Sequence, residues 1–102
     1  RSGTTMTKLE NLMHEIFEKE GYEEYFVGPP IHSVGLEFEE PPLPAGHAFF
    51  HGEEPKDELK SGMVLSIGNC GLYLGEFGVR VEDTVAVTDK GYEELTTYSR
   101  TL

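Results

Sequence analysis

The stretch Leu59-Lys60-Ser61-Gly62-Met63-Val64-Leu65-Ser66-Ile67-Gly68-Asn69-Cys70-Gly71-Leu72-Tyr73, continued by Gly78-Val79-Arg80-Val81-Glu82-Asp83-Thr84-Val85, decides the fold of this 102-residue chain. Two runs rich in β-branched residues flank the turn residues Gly75-Glu76-Phe77-Gly78, the pattern of paired strands. In the second run Val79, Val81, Val85 and Val87 fall on one face, while Arg80, Glu82 and Thr84 fall on the other. Charged residues seldom enter a buried strand without a partner or a task, so the Glu82-Asp83 pair is the first place to look for chemistry.

Outward from this stretch, Met63 to Gly68, Leu72 to Leu74 and Val79 to Thr88 read as strands. Asp89-Lys90-Gly91 reads as a tight hairpin turn with Gly91 at a positive φ, returning through Tyr92 to Thr96. Ile31 to Phe38 alternates so that His32 shares a face with Val34, Leu36 and Phe38. Tyr22 to Val27 has aromatic and β-branched character, stopped by Pro29-Pro30. Glu39 to Ser61 carries four prolines and two glycines around Ala48-Phe49-Phe50 and reads as a long surface loop. His47 and His51 in that loop have i, i+4 spacing but no helical context, and read as surface or loop-packing residues.

Near the N-terminus Leu9, Leu12, Met13, Ile16 and Phe17 have the spacing of one helical face. Thr7 and Glu10 have capping-box spacing, and Gly21 stands where a left-handed residue ends a helix, so a helix is expected over about Lys8 to Glu20. Its apolar stripe needs a sheet to cover it. The expected fold class is therefore α+β: one N-terminal helix packed on a curved, largely antiparallel sheet, with residues 1–102 forming a single domain.

Nineteen acidic against eight basic residues give a formal net charge of −11, which argues against nucleic acid as a partner because phosphate binding needs clustered Lys and Arg. The lone cysteine, Cys70, allows no internal disulfide and points to a reducing compartment. No run reaches the ~18 apolar residues of a membrane span, so a cytoplasmic location without membrane contact is expected. Polar residues interrupting the apolar patterns are His32, Glu37, Glu39, Glu40, Asn69, Glu82 and Asp83. Imidazole and carboxylate together suit a divalent transition metal. A hydrogen-bonded strand histidine is the other reading of His32, and an ion pair with Arg80 the other reading of Glu82.

Ile31-His32-Ser33-Val34-Gly35-Leu36-Glu37-Phe38-Glu39-Glu40-Pro41, Leu59-x-x-Gly62-Met63-Val64, Gly71-Leu72-Tyr73, Gly78-Val79-Arg80-Val81-Glu82-Asp83-Thr84-Val85 and Val87-Thr88-x-x-Gly91-Tyr92-Glu93-x-Leu95-Thr96 together resemble the C-terminal half of the pita-bread metallopeptidases. That family includes methionine aminopeptidase, Xaa-Pro dipeptidase, Xaa-Pro aminopeptidase and creatinase. The resemblance implies half of a pita-bread fold and a divalent metal, Mn, Co or Zn, with His32 and Glu82 as its ligands. It implies a peptide substrate, and Asp83 as an acid that orients neighbours rather than touching metal.

Two positions carrying the family's catalytic groups are changed: Asn69 stands for a glutamate, with Cys70 for the following proline, and Glu39 stands for a second histidine. The family's two ligand aspartates belong to an N-terminal half outside this sequence. The implied function is thus a C-terminal catalytic-half fragment of a metal-dependent aminopeptidase or Xaa-Pro dipeptidase-like hydrolase, not expected to act alone. It would pair with the missing half or self-associate. The alternatives are a non-catalytic pseudo-peptidase binding module and a relative with non-peptidase chemistry.

Overall fold

A computed structural model describes residues 1–37, 40, 58–68 and 71–101 of the chain. The helix α1 runs Met6–Lys19. It starts two residues earlier than the spacing suggests, because the cap is Thr5, whose hydroxyl accepts from the Lys8 amide at 3.2 Å. Thr7 lies inside the first turn, and the expected capping box does not form. Glu20 closes the helix, and Gly21 at φ +79° takes the left-handed turn out of it. The stripe divides: Leu9, Met13 and Phe17 are half-buried, whereas Leu12 and Ile16 are 51% and 49% exposed.

A 3-10 turn, Glu23–Tyr25, leads into β1, Phe26–Val27. The other strands are β2 (Ile31–Val34), β3 (Val64–Gly68), β4 (Gly71–Tyr73), β5 (Gly78–Val79), β6 (Glu82–Val87) and β7 (Tyr92–Glu94). All pair antiparallel, in two sheets rather than one: β1-β4-β5, and β2-β3-β6-β7. The expected α+β class with one helix holds, while several expected strands are shorter. Val79 to Thr88 is not one strand, because Val79 pairs with Leu72 in one sheet and Glu82 with Gly68 in the other. Arg80 and Val81 are the crossover between them. The strand expected over Ile31 to Phe38 ends at Val34, and Leu36 is fully exposed.

The β6–β7 turn also differs from expectation. Gly91 is not at positive φ; the loop closes instead by the Thr88 amide donating to the Gly91 carbonyl and the Gly91 amide donating to the Thr88 hydroxyl. A positive φ occurs in the β4–β5 turn, at Gly75 (φ +98°). In the three-stranded sheet, the ring of Tyr73 lies over both Gly71 and Gly78, so a side chain at either would push the ring away.

The core is small. Met6 of α1, Ile31, Leu65, Val85 and Val87 of the four-stranded sheet, and Leu59 are buried together. Leu59 belongs to the end of the segment read as a surface loop, and it enters the core because the Thr5–Glu58 bridge and the Leu59 amide bond to the Thr4 carbonyl tie it to the chain's start. Residues 41–57, with His47, His51, Phe49 and Phe50, lie outside the described residues.

Candidate functional site

Register fixes which side chains share a face of the four-stranded sheet. Ile31, Ile67 and Asp83 stand opposite one another, as do Ser33, Leu65 and Val85, and this is the face that meets α1. His32, Ser66 and Thr84 form a row on the opposite face, and Gly68 with Glu82 begins the next row on that same face. His32 and Glu82 are therefore on one side of one sheet, two strands and two residues apart. Strand spacing and rise put their Cα atoms about 12 Å apart. Between them lie Ser66 and Gly68, which leave a floor with almost no side-chain bulk.

His32 is 4% exposed, and its Nδ1 lies 3.2 Å from the carbonyl oxygen of Ser33. A carbonyl can only accept, so Nδ1 is the donor in this contact, as it is in histidines that ligate through Nε2. Glu82 is more open, its side chain 30% exposed, and Arg80 grips it as a fork. Arg80 Nη2 donates to Oε1 and Nε lies by Oε2, each at 2.9 Å. The ion-pair reading of Glu82 is thus realised.

Gly68 is a residue of this site that sequence reading passed over as the end of a strand. A Cβ built on it would overlap the carbonyl oxygen of Val81 and come within 2.8 Å of Glu82 Cα and 2.9 Å of Cγ. The absence of a side chain at Gly68 is what lets Glu82 sit where it does.

Asp83, next in sequence, projects to the helix-bearing face and has partners of its own. Its Oδ1 accepts from Thr96 Oγ1 at 2.9 Å and its Oδ2 from Arg100 Nε at 2.7 Å. The Arg100 hydrogen bond, followed by that from Thr96, holds the Asp83 carboxyl below its usual range. Asp83 thus joins β6 to Thr96 and Arg100 on this face. On this face a trough of about 360 Å³ opens beside α1, floored by Leu65, Ile67, Val85 and Val87 and rimmed by Asp83 and Arg100.

A nitrogen donor and a carboxylate on one sheet face fit part of a divalent metal site by donor chemistry. Among the described residues, no group of three or more His, Cys, Asp or Glu is placed to hold an ion. The other two sequence-selected positions, Glu39 and Asn69, lie outside the described residues. Among the described residues no helix is long and apolar enough to cross a membrane.

One helix thus packs against one face of an antiparallel sheet whose other face carries a histidine and a glutamate. The model of metallopeptidase family M24 matches residues 1–89, and the chain belongs to that family, whose fold is the pita-bread fold. It is 36% identical over 103 residues to an Xaa-Pro dipeptidase of Pyrococcus furiosus, covering 100% of this chain and 27% of that protein. Among solved structures, it is similar to an Xaa-Pro dipeptidase from Bacillus anthracis (TM-score 0.82, 32% identity, 100% of this chain and 27% of that one). It is similar to the same extent to an X-Pro aminopeptidase from Thermotoga maritima (TM-score 0.82, 31% identity, 100% and 27%). The chain thus spans about a quarter of the length of these relatives and corresponds to part of a peptidase domain.

Proposed function

We propose that this chain is the C-terminal catalytic half of a metal-dependent peptidase acting at N-terminal or Xaa-Pro bonds, and that His32 and Glu82 are its contribution to the metal site. The observation that carries the reading is their shared face of one sheet over the bare floor of Ser66 and Gly68, with His32 Nδ1 engaged by a backbone carbonyl. Mn, Co or Zn fits the donor pair. When bound, such an ion supplies Lewis-acid polarisation of a carbonyl and a more acidic water. The chain's own residues hold and orient: the Ser33 carbonyl accepts from His32 Nδ1, and Gly68 admits Glu82 to the face. Asn69 and Glu39, at the positions of the family's catalytic glutamate and second histidine, are the proposed substrate-side groups.

Exposed Leu12 and Ile16 on α1, together with the apolar trough, support a further covering layer, either the family's other half or a second copy. A cytoplasmic location remains part of the proposal.

Calorimetric titration of the full-length protein with Mn²⁺, Co²⁺ and Zn²⁺, beside hydrolysis of Xaa-Pro dipeptides, tests the reading. His32→Ala and Glu82→Gln should each weaken metal binding at least tenfold, and affinities unchanged in both variants would refute it. A second reading, a binding module that has kept the fold without the chemistry, is favoured by the Arg80 fork on both oxygens of Glu82 and by the amide at Asn69. It predicts no metal uptake by the wild type.

A further inference from the structure

We propose that the segment Glu94–Arg100 is a clasp that positions Glu82 from the opposite face of the sheet, through Asp83. This rests on the reading of Glu82 as a site residue.

Glu82 is the first residue of β6, where the support of the strand runs out. Toward β3 its partner is Gly68, the last residue of that strand and one with no side chain to pack. Toward β7 the register runs only from Val85↔Glu94 to Val87↔Tyr92, three residues short of Glu82. The preceding Arg80 and Val81 belong to no strand. The Arg80 fork holds the Glu82 carboxylate but comes from the same strand end, so the direction in which Glu82 leaves the face depends on what fixes its neighbour Asp83.

The clasp supplies the missing side. The Leu95 amide donates to the Thr84 carbonyl at 2.8 Å, continuing the ladder by one bond. The Thr96 hydroxyl then replaces a backbone carbonyl: it accepts from the Thr84 amide at 3.0 Å and donates to Asp83 Oδ1 at 2.9 Å. Arg100 spans the acids, with Nε on Asp83 Oδ2 at 2.7 Å and Nη2 on Glu94 Oε1 at 3.0 Å. Both oxygens of Asp83 are thereby fixed to the chain's own tail. Because successive side chains leave a strand on opposite faces, fixing Asp83 on the helix-bearing face fixes the direction in which Glu82 leaves the other. Thr96 and Arg100 are positioning residues, since neither stands on the His32 face.

The test uses the full chain labelled with ¹³C at glutamate carboxyls, with Arg100→Ala, Arg100→Lys and Thr96→Val compared with Val87→Ala, a core change that destabilises without removing a hydrogen bond of the clasp. Arg100→Ala and Thr96→Val should shift or broaden the Glu82 carboxyl resonance, speed exchange of the Thr84 amide, and weaken Mn²⁺ affinity, read by electron paramagnetic resonance, by up to about 10-fold. Arg100→Lys should retain most of the wild-type signal. Val87→Ala should lower the melting temperature and leave the Glu82 resonance in place.

A Glu82 resonance unmoved by both Arg100→Ala and Thr96→Val, or moved equally by Val87→Ala, would overturn the proposal. If the wild type takes up no Mn²⁺ while the resonance still moves only in the clasp variants, positioning stands and the metal reading fails. Should Arg100→Ala not fold, Thr96→Val and Arg100→Lys carry the same comparison.

Discussion

Replacing Gly68 by alanine adds one methyl group at the most crowded backbone crossing near the site. The new Cβ would overlap the Val81 carbonyl oxygen and sit 2.8 and 2.9 Å from two atoms of Glu82, below the separation that real Cβ atoms show. The nearest obstacle is backbone, so no rotamer change can relieve it, and the start of β6 must retreat from β3. Overpacking of this kind costs about 1–3 kcal/mol. For a domain near 100 residues that corresponds to a fall in Tm of roughly 4–20 °C. The damage should be local, with the Glu82 amide and carboxyl resonances moving most and those of α1 least. Gly91→Ala is the control, because a Cβ there meets no heavy atom within 4 Å and its φ is ordinary. It should lie within about 0.5 kcal/mol of wild type, or be slightly stabilising through the unfolded chain. Urea denaturation of both variants decides the matter. A Gly68→Ala protein as stable as Gly91→Ala, with Glu82 unmoved, would refute the reasoning.

Three further outcomes are expected. Asp83 has a depressed folded-state pKa, so its contribution is present above the ordinary carboxylate value and is lost as pH falls through the lower folded value. The urea midpoint of wild type should therefore exceed that of Asp83→Asn at neutral pH, with the gap closing on acidification below the ordinary carboxylate range; a constant gap counts against the ion-pair account. Thr5→Ala should destabilise by about 1 kcal/mol through loss of the helix cap, and by more than Thr7→Ala, since Thr7 lies inside the first turn. The reverse order would mean that the helix begins at the capping box read from sequence. Leu65→Ala, at 1% exposure in the buried apolar core, should cost about 2–5 kcal/mol by the same assay, and a cost below about 1 kcal/mol would show that the core lies elsewhere.

What sequence made legible was set by short-range periodicity. The stripe from Leu9 to Phe17 marks a helix because each residue's neighbours lie within one turn, and the β-branched runs around Leu65 and Val85 mark strands for the same reason. Val79-Arg80-Val81-Glu82 has continuous β propensity, yet the strand breaks there because its two ends pair with different sheets, a fact held by Leu72 and Gly68 rather than by the run itself. The cap moved from Thr7 to Thr5 because the Thr4–Leu59 and Thr5–Glu58 contacts draw the N-terminus against a segment over 50 residues away. The placement of His32 and Glu82 on one face follows from alternation once register is known, and register was beyond the single sequence. Gly68 and Arg100 were missed for one reason: their importance lies in residues 14 and 17 positions distant, Glu82 and Asp83. The one signal for Arg100 was scarcity, since eight basic residues among nineteen acids are each worth tracing to a partner.

Glu82 and Asp83 are adjacent acids, each gripped by an arginine, and the sheet assigns them opposite duties. Asp83 is held by two donors that belong to one network, with Arg100 also tied to Glu94 and Thr96 also tied to the Thr84 amide. Releasing its oxygens would open the end of the β6–β7 ladder. Glu82 answers to Arg80 across a half-exposed pair, with side chains 50% and 30% accessible, and exposed pairs of this kind contribute on the order of 1 kcal/mol or less. The Asp83–Arg100 pair is similarly exposed, at 20% and 54%, so the difference between the two acids lies in the network: Asp83 also takes the Thr96 hydroxyl that holds the Thr84 amide. The Arg80 fork is consistent with both readings of the site for this reason: it keeps Glu82 charge-balanced in the metal-free protein and is weak enough to give way. The firmer constraints proposed for Glu82 lie behind and beneath it, in the hydrogen bonds of the clasp and in the close approach at Gly68.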